Sequence, residues 1–203
     1  MNLRAHLSTA LHDGPRPWGL ILFLAIGFAL SVFHPSDLKS YHSKSNLEPP
    51  GVVVDITENY VRFVNTGVQI LLPFAMRDPV GILQLAFIAI TTTIATHGTK
   101  RLVNEWVIEG TRLGQRPPGG SHSNHNMPSG HSSMTSCAVY YVCWRYGLKF
   151  AWLLVPIMLL TMYARIALLE HTVSAVLAGC FLGLMIAATF TSRFRKSAAL
   201  GKA

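Results

Sequence analysis

The sequence predicts an all-α protein: a polytopic membrane chain folded as a bundle of about six transmembrane helices, one membrane-embedded domain over residues 1–203 with its motifs between 100 and 179. Three observations predict it. Half of the residues are hydrophobic and only 13% are charged, where a soluble domain carries about 25%. The apolar residues are collected into six stretches, 18–33, 61–76, 79–95, 132–146, 150–169 and 173–191. Polar segments rich in glycine, proline and histidine separate them. A helix needs roughly 20 apolar residues to cross the hydrocarbon core. Several stretches are a little short, so four or five spans with one re-entrant or interfacial helix is the competing count.

The first stretch, 18–33, lacks a good small-residue cleavage site and runs into Pro35-Ser36-Asp37, which makes it a retained span rather than a cleavable signal. Residues 34–51 are polar, contain Pro49-Pro50 and read as a loop, and Val52–Ile56 reads as a short interfacial element. Beyond the third stretch, 100–109 is helix-like, with Leu102, Val103, Trp106 and Val107 on one face. It extends that span or lies in the interface, a depth that suits Trp. Gly110, Gly114, Pro117, Pro118, Gly119 and Gly120 then break any helix. The fourth stretch opens with Ser132, Ser133, Thr135, Ser136 and Ala138, small residues suited to close helix packing. Cys137, Cys143 and Cys180 all lie in apolar stretches, which argues against disulfides and a zinc ribbon.

The net charge of +8 does not point to nucleic acid, because no basic stripe is interleaved with aromatics in a soluble segment. Basic residues here mark cytoplasmic loops and meet anionic headgroups. With six spans, Arg4, Arg16, Arg77, Arg145, Lys149, Arg193, Arg195 and Lys196 share one side, the cytoplasm. The other side receives 34–60, 96–131 and the 165–171 end, together with Lys100, Arg101, Arg112 and Arg116. Cations on the translocated face need a reason, and an anionic ligand supplies one.

On that face sits Pro128-Ser129-Gly130-His131, followed by an apolar run. A helix N-terminus there would offer backbone N–H groups to an anion, Ser129 a hydroxyl and His131 a proton. The plainer reading is a loop-to-helix cap. Arg116-Pro117 and Lys100 are weak signals alone, since Arg-Pro is common in loops and an interfacial Lys snorkels. Arg165 ends an apolar stretch six residues before His171. A guanidinium at that depth needs a phosphate, a headgroup or a carboxylate, so a structural Arg–Glu pair is the rival. His171 alone reads equally as a helix cap. His122 and His125 raise the question of a metal, but no carboxylate follows at ligand spacing, so no metal or other cofactor is expected.

Arg-Pro, Pro-Ser-Gly-His and Arg-x5-His occur in that order on one predicted face. Together they resemble the phosphatidic acid phosphatase type 2 superfamily, whose signature reads Lys-x6-Arg-Pro, Pro-Ser-Gly-His and Ser-Arg-x5-His-x3-Asp. The resemblance covers about residues 100–179. It implies a bundle of six membrane helices and metal-free transfer of a phosphoryl group through a phosphohistidine. His171 would be the nucleophile and His131 the acid that protonates the leaving oxygen. Arg116, Ser129, Gly130 and Arg165 would hold phosphate. Within the superfamily, Gly114-Gln-Arg-Pro and Asn126-Met-Pro-Ser-Gly-His look most like the branch that includes lipid A 1-phosphatases. Enzymes acting on undecaprenyl pyrophosphate or phosphatidylglycerophosphate carry similar motifs.

The chain departs from the signature twice. The position seven before Arg116 holds Glu109 instead of Lys, which leaves Lys100 (with an insertion after it) or Arg112 to supply that charge. Ala175 stands where the signature has Asp. If a carboxylate is needed there to orient His171, its loss costs about 10⁴ in rate by analogy with the serine-protease triad, and Ala175→Asp raises turnover. Glu170, next to His171, points elsewhere on a helix. The sequence therefore predicts a bacterial inner-membrane lipid phosphatase with its site at the periplasmic face. A lipid phosphotransferase, and an impaired variant that only binds lipid phosphate, are the competing readings.

Overall fold

The computed structural model describes residues 3–12, 14–44, 51–121 and 123–194; Pro49-Pro50, His122, Arg195 and Lys196 lie outside the described residues. The helices are α1 (Leu3–His12), α2 (Trp18–Phe33), α3 (Val52–Ile56), α4 (Arg62–Ala75), α5 (Pro79–Leu102), α6 (Gly130–Tyr146), α7 (Ala151–Ala167) and α8 (Val173–Phe190). All six expected stretches are helical. Among the described residues, three helical segments, Pro79–Leu102, Leu148–Ala167 and Val173–Phe190, are long and apolar enough to cross a membrane, and Trp18–Phe33 is a shorter apolar helix. Trp18, Phe23, Ile90, Ile94 and Trp152 project outward, exposed, as side chains facing hydrocarbon would.

The differences from the expected boundaries have local causes. The second helical segment starts at Val52, not 61, because α3 passes through a π-helical turn, Thr57–Val61, straight into α4. The helix expected over 100–109 ends at Leu102. Beyond it lies a hairpin of β1 (Val107–Ile108) and β2 (Thr111–Arg112), paired Val107↔Arg112 and Ile108↔Thr111. Its two loop residues, Glu109 (φ 51°) and Gly110 (φ 76°), are both left-handed. That is the turn whose twist matches paired strands.

α8 is the central element, packed on α6 and α2. Small residues let α6 and α8 approach: a Cβ on Gly179 would run into the Ser129 carbonyl, and one on Gly183 into the Ser133 carbonyl. The apolar core above them includes Leu85, Ile88, Tyr141, Val142, Leu154 and Ala187. At the end of α6 remote from Gly130, Arg145 is not a loop cation as its sequence position implied. It is buried and grips the Asp78 carboxylate with two hydrogen bonds, of 2.6 and 2.7 Å. Asp78 in turn caps α5 through Gly81 N–H at 2.9 Å. Burial pushes the Asp78 carboxyl up, but the Arg145, Gly81 and Tyr146 donors outweigh it and hold the carboxyl below its usual value. This lock closes one end of the bundle; the motifs occupy the other.

Candidate active site

Helix termini build the site. α5 brings Lys100 in its last turn, α6 starts at Gly130-His131, α7 ends with Arg165, and α8 begins just after His171. The π-helical turn before α4 adds Glu58, and Arg62 opens α4. Residues 114–121 and 123–129 meet this end. The Asn126 N–H donates to the Gly114 carbonyl at 3.0 Å, and the His125 carbonyl accepts from Lys100 Nζ at 2.9 Å.

The histidines sit at the centre. His131 accepts at Nε2 from Arg62 at 3.2 Å, since a guanidinium can only donate. His171 is buried, with Nδ1 2.7 Å from the Asn126 carbonyl oxygen. Lys100 and Arg165 lie within electrostatic reach of both rings, and Arg116 within reach of His171. Burial first, then the charges of Lys100, Arg165 and Arg116, hold the His171 imidazole well below the ordinary histidine value. It is a neutral base.

Around the rings the cations are linked through carboxylates. Arg165 donates to Glu58 at 2.6 Å and lies 3.4 Å from Glu170. Glu58 also pairs with Arg62, and Glu170 with Arg116 and the Ser121 hydroxyl. Four cations, Lys100, Arg62, Arg116 and Arg165, thus face two carboxylates, Glu58 and Glu170, and the cluster carries two net positive charges with neutral histidines. The Nε atoms of Arg62, Arg116 and Arg165 are buried without a hydrogen-bond partner among the described residues. Unpaired buried donors in a positive cluster are a receptor for an oxyanion.

Not every expected residue arrives in the same capacity. Arg112 is on the hairpin, turned to Glu105 and the Asn104 carbonyl; of the two candidates for the first cation, Lys100 is the one among the arginines. Ser129 is fully buried and caps α6, accepting from Ser132 N–H at 3.4 Å while its own N–H donates to the Ala175 carbonyl at 2.8 Å. Its hydroxyl is a cap. Gly130 is the first residue of the helix, at the end whose free N–H groups attract anions. Ala175 is fully buried in an apolar cluster with Val103, Leu113 and Met127. Arg165 makes the Arg–Glu pair that was the rival reading for it, with Glu58 and Glu170, and its Nε has no partner among the described residues.

Sequence reading missed Glu58 and Arg62. They form an ordinary i,i+4 pair in sequence, and nothing local announces that Arg62 meets a histidine 69 residues away.

Known proteins resemble this chain in sequence and in fold. The sequence profile of the PAP2 superfamily matches residues 81–198. The lipid A 1-phosphatase of Helicobacter pylori strain J99 is 44% identical over 174 residues, covering 85% of this chain and 86% of that protein. The lipid A 1-phosphatase of H. pylori strain 26695 is 47% identical over 136 residues, covering 67% and 70%. Among solved structures, a transmembrane PAP2-type phosphatidylglycerolphosphate phosphatase from Bacillus subtilis shares the fold, with a TM-score of 0.57 at 20% identity over 84% of this chain and 92% of that one. Its helical bundle, its motifs and these relatives place the chain in the PAP2 superfamily of membrane phosphatases.

Proposed function

We propose that the protein, a membrane lipid phosphatase by family, hydrolyses the 1-phosphate of lipid A at the periplasmic face of a bacterial inner membrane. The observation that carries the reading is the charge balance around two histidines. Two net positive charges with unpaired guanidinium donors complement a phosphate monoester, which carries about −1.5 to −2 near neutrality. The relatives named for lipid A 1-phosphate supply the substrate.

In this reading the phosphate displaces Glu58 and Glu170 from Arg165, Arg116 and Arg62. Phosphoryl transfer depends on positioning and charge stabilisation, which these cations provide without a metal. The neutral His171 attacks phosphorus through Nε2 and forms a phosphohistidine. Arg62, drawn to the phosphate, releases Nε2 of His131; with the phosphate's negative charge beside it, that nitrogen takes up a proton from solvent and passes it to the leaving sugar oxygen. Water activated by the same histidine then releases inorganic phosphate and restores His171.

The test is the purified protein against a lipid panel: lipid A bisphosphate, phosphatidylglycerophosphate and undecaprenyl pyrophosphate, with products read by mass spectrometry. Loss of the 1-phosphate alone is expected, unaffected by EDTA and abolished in His171→Ala. Preferential cleavage of another lipid would overturn the substrate. No release from any lipid by a folded protein would favour a phosphate-binding role.

A further inference from the structure

Histidine as a nucleophile needs one tautomer. The attacking nitrogen must hold its lone pair toward phosphorus, so the proton must stay on the other nitrogen. In this structure the group touching His171 Nδ1 is the Asn126 backbone carbonyl, at 2.7 Å. A carbonyl oxygen only accepts, so Nδ1 must donate and Nε2 is left unprotonated. The neighbouring carboxylate of Glu170 is turned to Arg116 and Arg165, while Nδ1 of the ring meets the Asn126 carbonyl.

A single accepting oxygen orients a ring only if it is itself fixed, and every polar group of Asn126 is engaged. Its N–H donates to Gly114 O at 3.0 Å. Its Oδ1 accepts from Thr172 N–H at 3.0 Å, and its Nδ2 donates to Thr172 Oγ1 at 3.1 Å. Its carbonyl takes the imidazole. The side chain therefore clamps the residue after His171 on both its N–H and its hydroxyl, while the main chain of the same asparagine holds the ring. Asn126 is 2% exposed and Thr172 1%, so these bonds do not compete with water. The Thr172 hydroxyl also accepts from Ala175 N–H, which ties the clamp to the first turn of α8.

We infer that Asn126 is the positioning residue of the nucleophile: its carbonyl selects the Nδ1–H tautomer of His171, and its side chain, locked to Thr172, sets the ring's direction. This rests on His171 being the nucleophile. It makes the carbonyl do here what a carboxylate does in His–Asp pairs, with a difference in kind. A carbonyl fixes tautomer and direction but contributes no negative charge to the imidazolium-like state.

The experiment separates this from plain structural support and from the substrate reading. Wild type, Asn126→Ala and Asn126→Asp are purified, and only variants matching the wild type in size-exclusion profile and melting temperature within a few degrees are compared. Asn126→Ala keeps the carbonyl but loses both bonds to Thr172. Its kcat is expected to fall roughly 10- to 100-fold with KM changed by less than about twofold, the range for loss of an orienting partner. Asn126→Asp keeps an acceptor for Thr172 N–H and accepts from the Thr172 hydroxyl, and is expected to recover most of kcat. Should Asn126→Ala not fold, Thr172→Val against Thr172→Ser opens the same clamp from the other side, with the same expected split.

The readout independent of turnover is the ¹⁵N spectrum of histidine-labelled protein in lipid nanodiscs, with His171 assigned by its disappearance in His171→Gln. The wild type is expected to show a single Nδ1–H tautomer and Asn126→Ala a mixture. If the tautomer is Nε2–H in wild type, or is unchanged in Asn126→Ala while kcat is also unchanged, the assignment to Asn126 is wrong. If the tautomer responds as expected but wild type releases phosphate from no lipid, the positioning stands and the functional reading falls.

Discussion

At the scale of single residues, burial does what the motifs alone do not reveal. The family resemblance implies that His171 is the nucleophile, and on that proposal its burial is what suits it to the role. A buried imidazole beside Lys100, Arg165 and Arg116 resists protonation. Attack requires the neutral ring, and its depressed pKa keeps it neutral at every pH above a value well under the usual 6.5 or so. The acid limb of kcat/KM that belongs to His171 is therefore expected well below pH 6.5. Lys100→Met removes a cation beside the ring, so it should move that limb to higher pH, besides weakening phosphate binding. A limb that stays put or moves down would contradict the role of His171. The same shift makes the fold acid-sensitive: below about pH 6.5 the unfolded histidine binds a proton that the folded one does not, so the shift costs nothing above about 6.5 and lowers stability as pH falls from there toward the folded value. The missing carboxylate also changes meaning once its surroundings are known. Position 175 is sealed among Val103, Leu113 and Met127, and His171 Nδ1 is already taken. Ala175→Asp is thus expected to bury a charge without a partner, lowering melting temperature and leaving kcat no higher than wild type, the reverse of what sequence alone led one to expect. A several-fold rise in kcat would reinstate the orienting-carboxylate idea.

At the scale of elements, the α6–α8 contact sets how closely the two halves of the site approach. Ser129-Gly130-His131 opens α6 and His171 precedes α8, so any widening between these helices moves acid and nucleophile apart. Gly179 and Gly183, four residues apart on α8, face the main-chain carbonyls of Ser129, the cap of α6, and of Ser133, which cannot swing away. Overpacking against flexible side chains costs about 1–3 kcal/mol, and against backbone more. Gly183→Val is expected to lower the melting temperature and reduce kcat, although residue 183 lies three turns from His171. A variant with wild-type stability and turnover would show that the helices have slack. The apolar spans were legible because hydrophobic runs need no tertiary information. The α3–α4 segment was read as starting too late because Asp55, Glu58, Asn59 and Arg62 break its apolar run. Two of those polar residues, Glu58 and Arg62, turned out to belong to the site. The hairpin was missed because Leu102, Val103, Trp106 and Val107 also fit one helical face, and only the positive φ at Glu109-Gly110 decides against it. His131, Arg165 and His171 were legible from ordered spacing, whereas Asn126 acts through a backbone carbonyl, which no side-chain pattern encodes.

For the whole molecule, the two ends of the bundle are built for different surroundings, and that difference predicts which way the protein faces. One end closes on itself: Arg145, Asp78, Gln84 and Ser192 satisfy one another in the interior. Short connections with Arg77 and Lys149 flank it, and basic residues in short loops remain on the cytoplasmic side. The other end gathers Lys100, Arg62, Arg116 and Arg165 with Glu58 and Glu170, where the cations answer an anionic ligand rather than the orientation rule. The motif end is therefore expected to face the periplasm. Single-cysteine labelling checks this with little background, because Cys137, Cys143 and Cys180 are all buried. Asn124→Cys, in the exposed part of the motif segment, should react with a membrane-impermeant maleimide in cells whose outer membrane alone is permeabilised. Lys149→Cys, exposed at the opposite end, should react only after the inner membrane is opened. The reverse pattern would place the phosphate site in the cytoplasm and would remove a periplasmic lipid headgroup as substrate, while leaving the chemistry at His171 untouched.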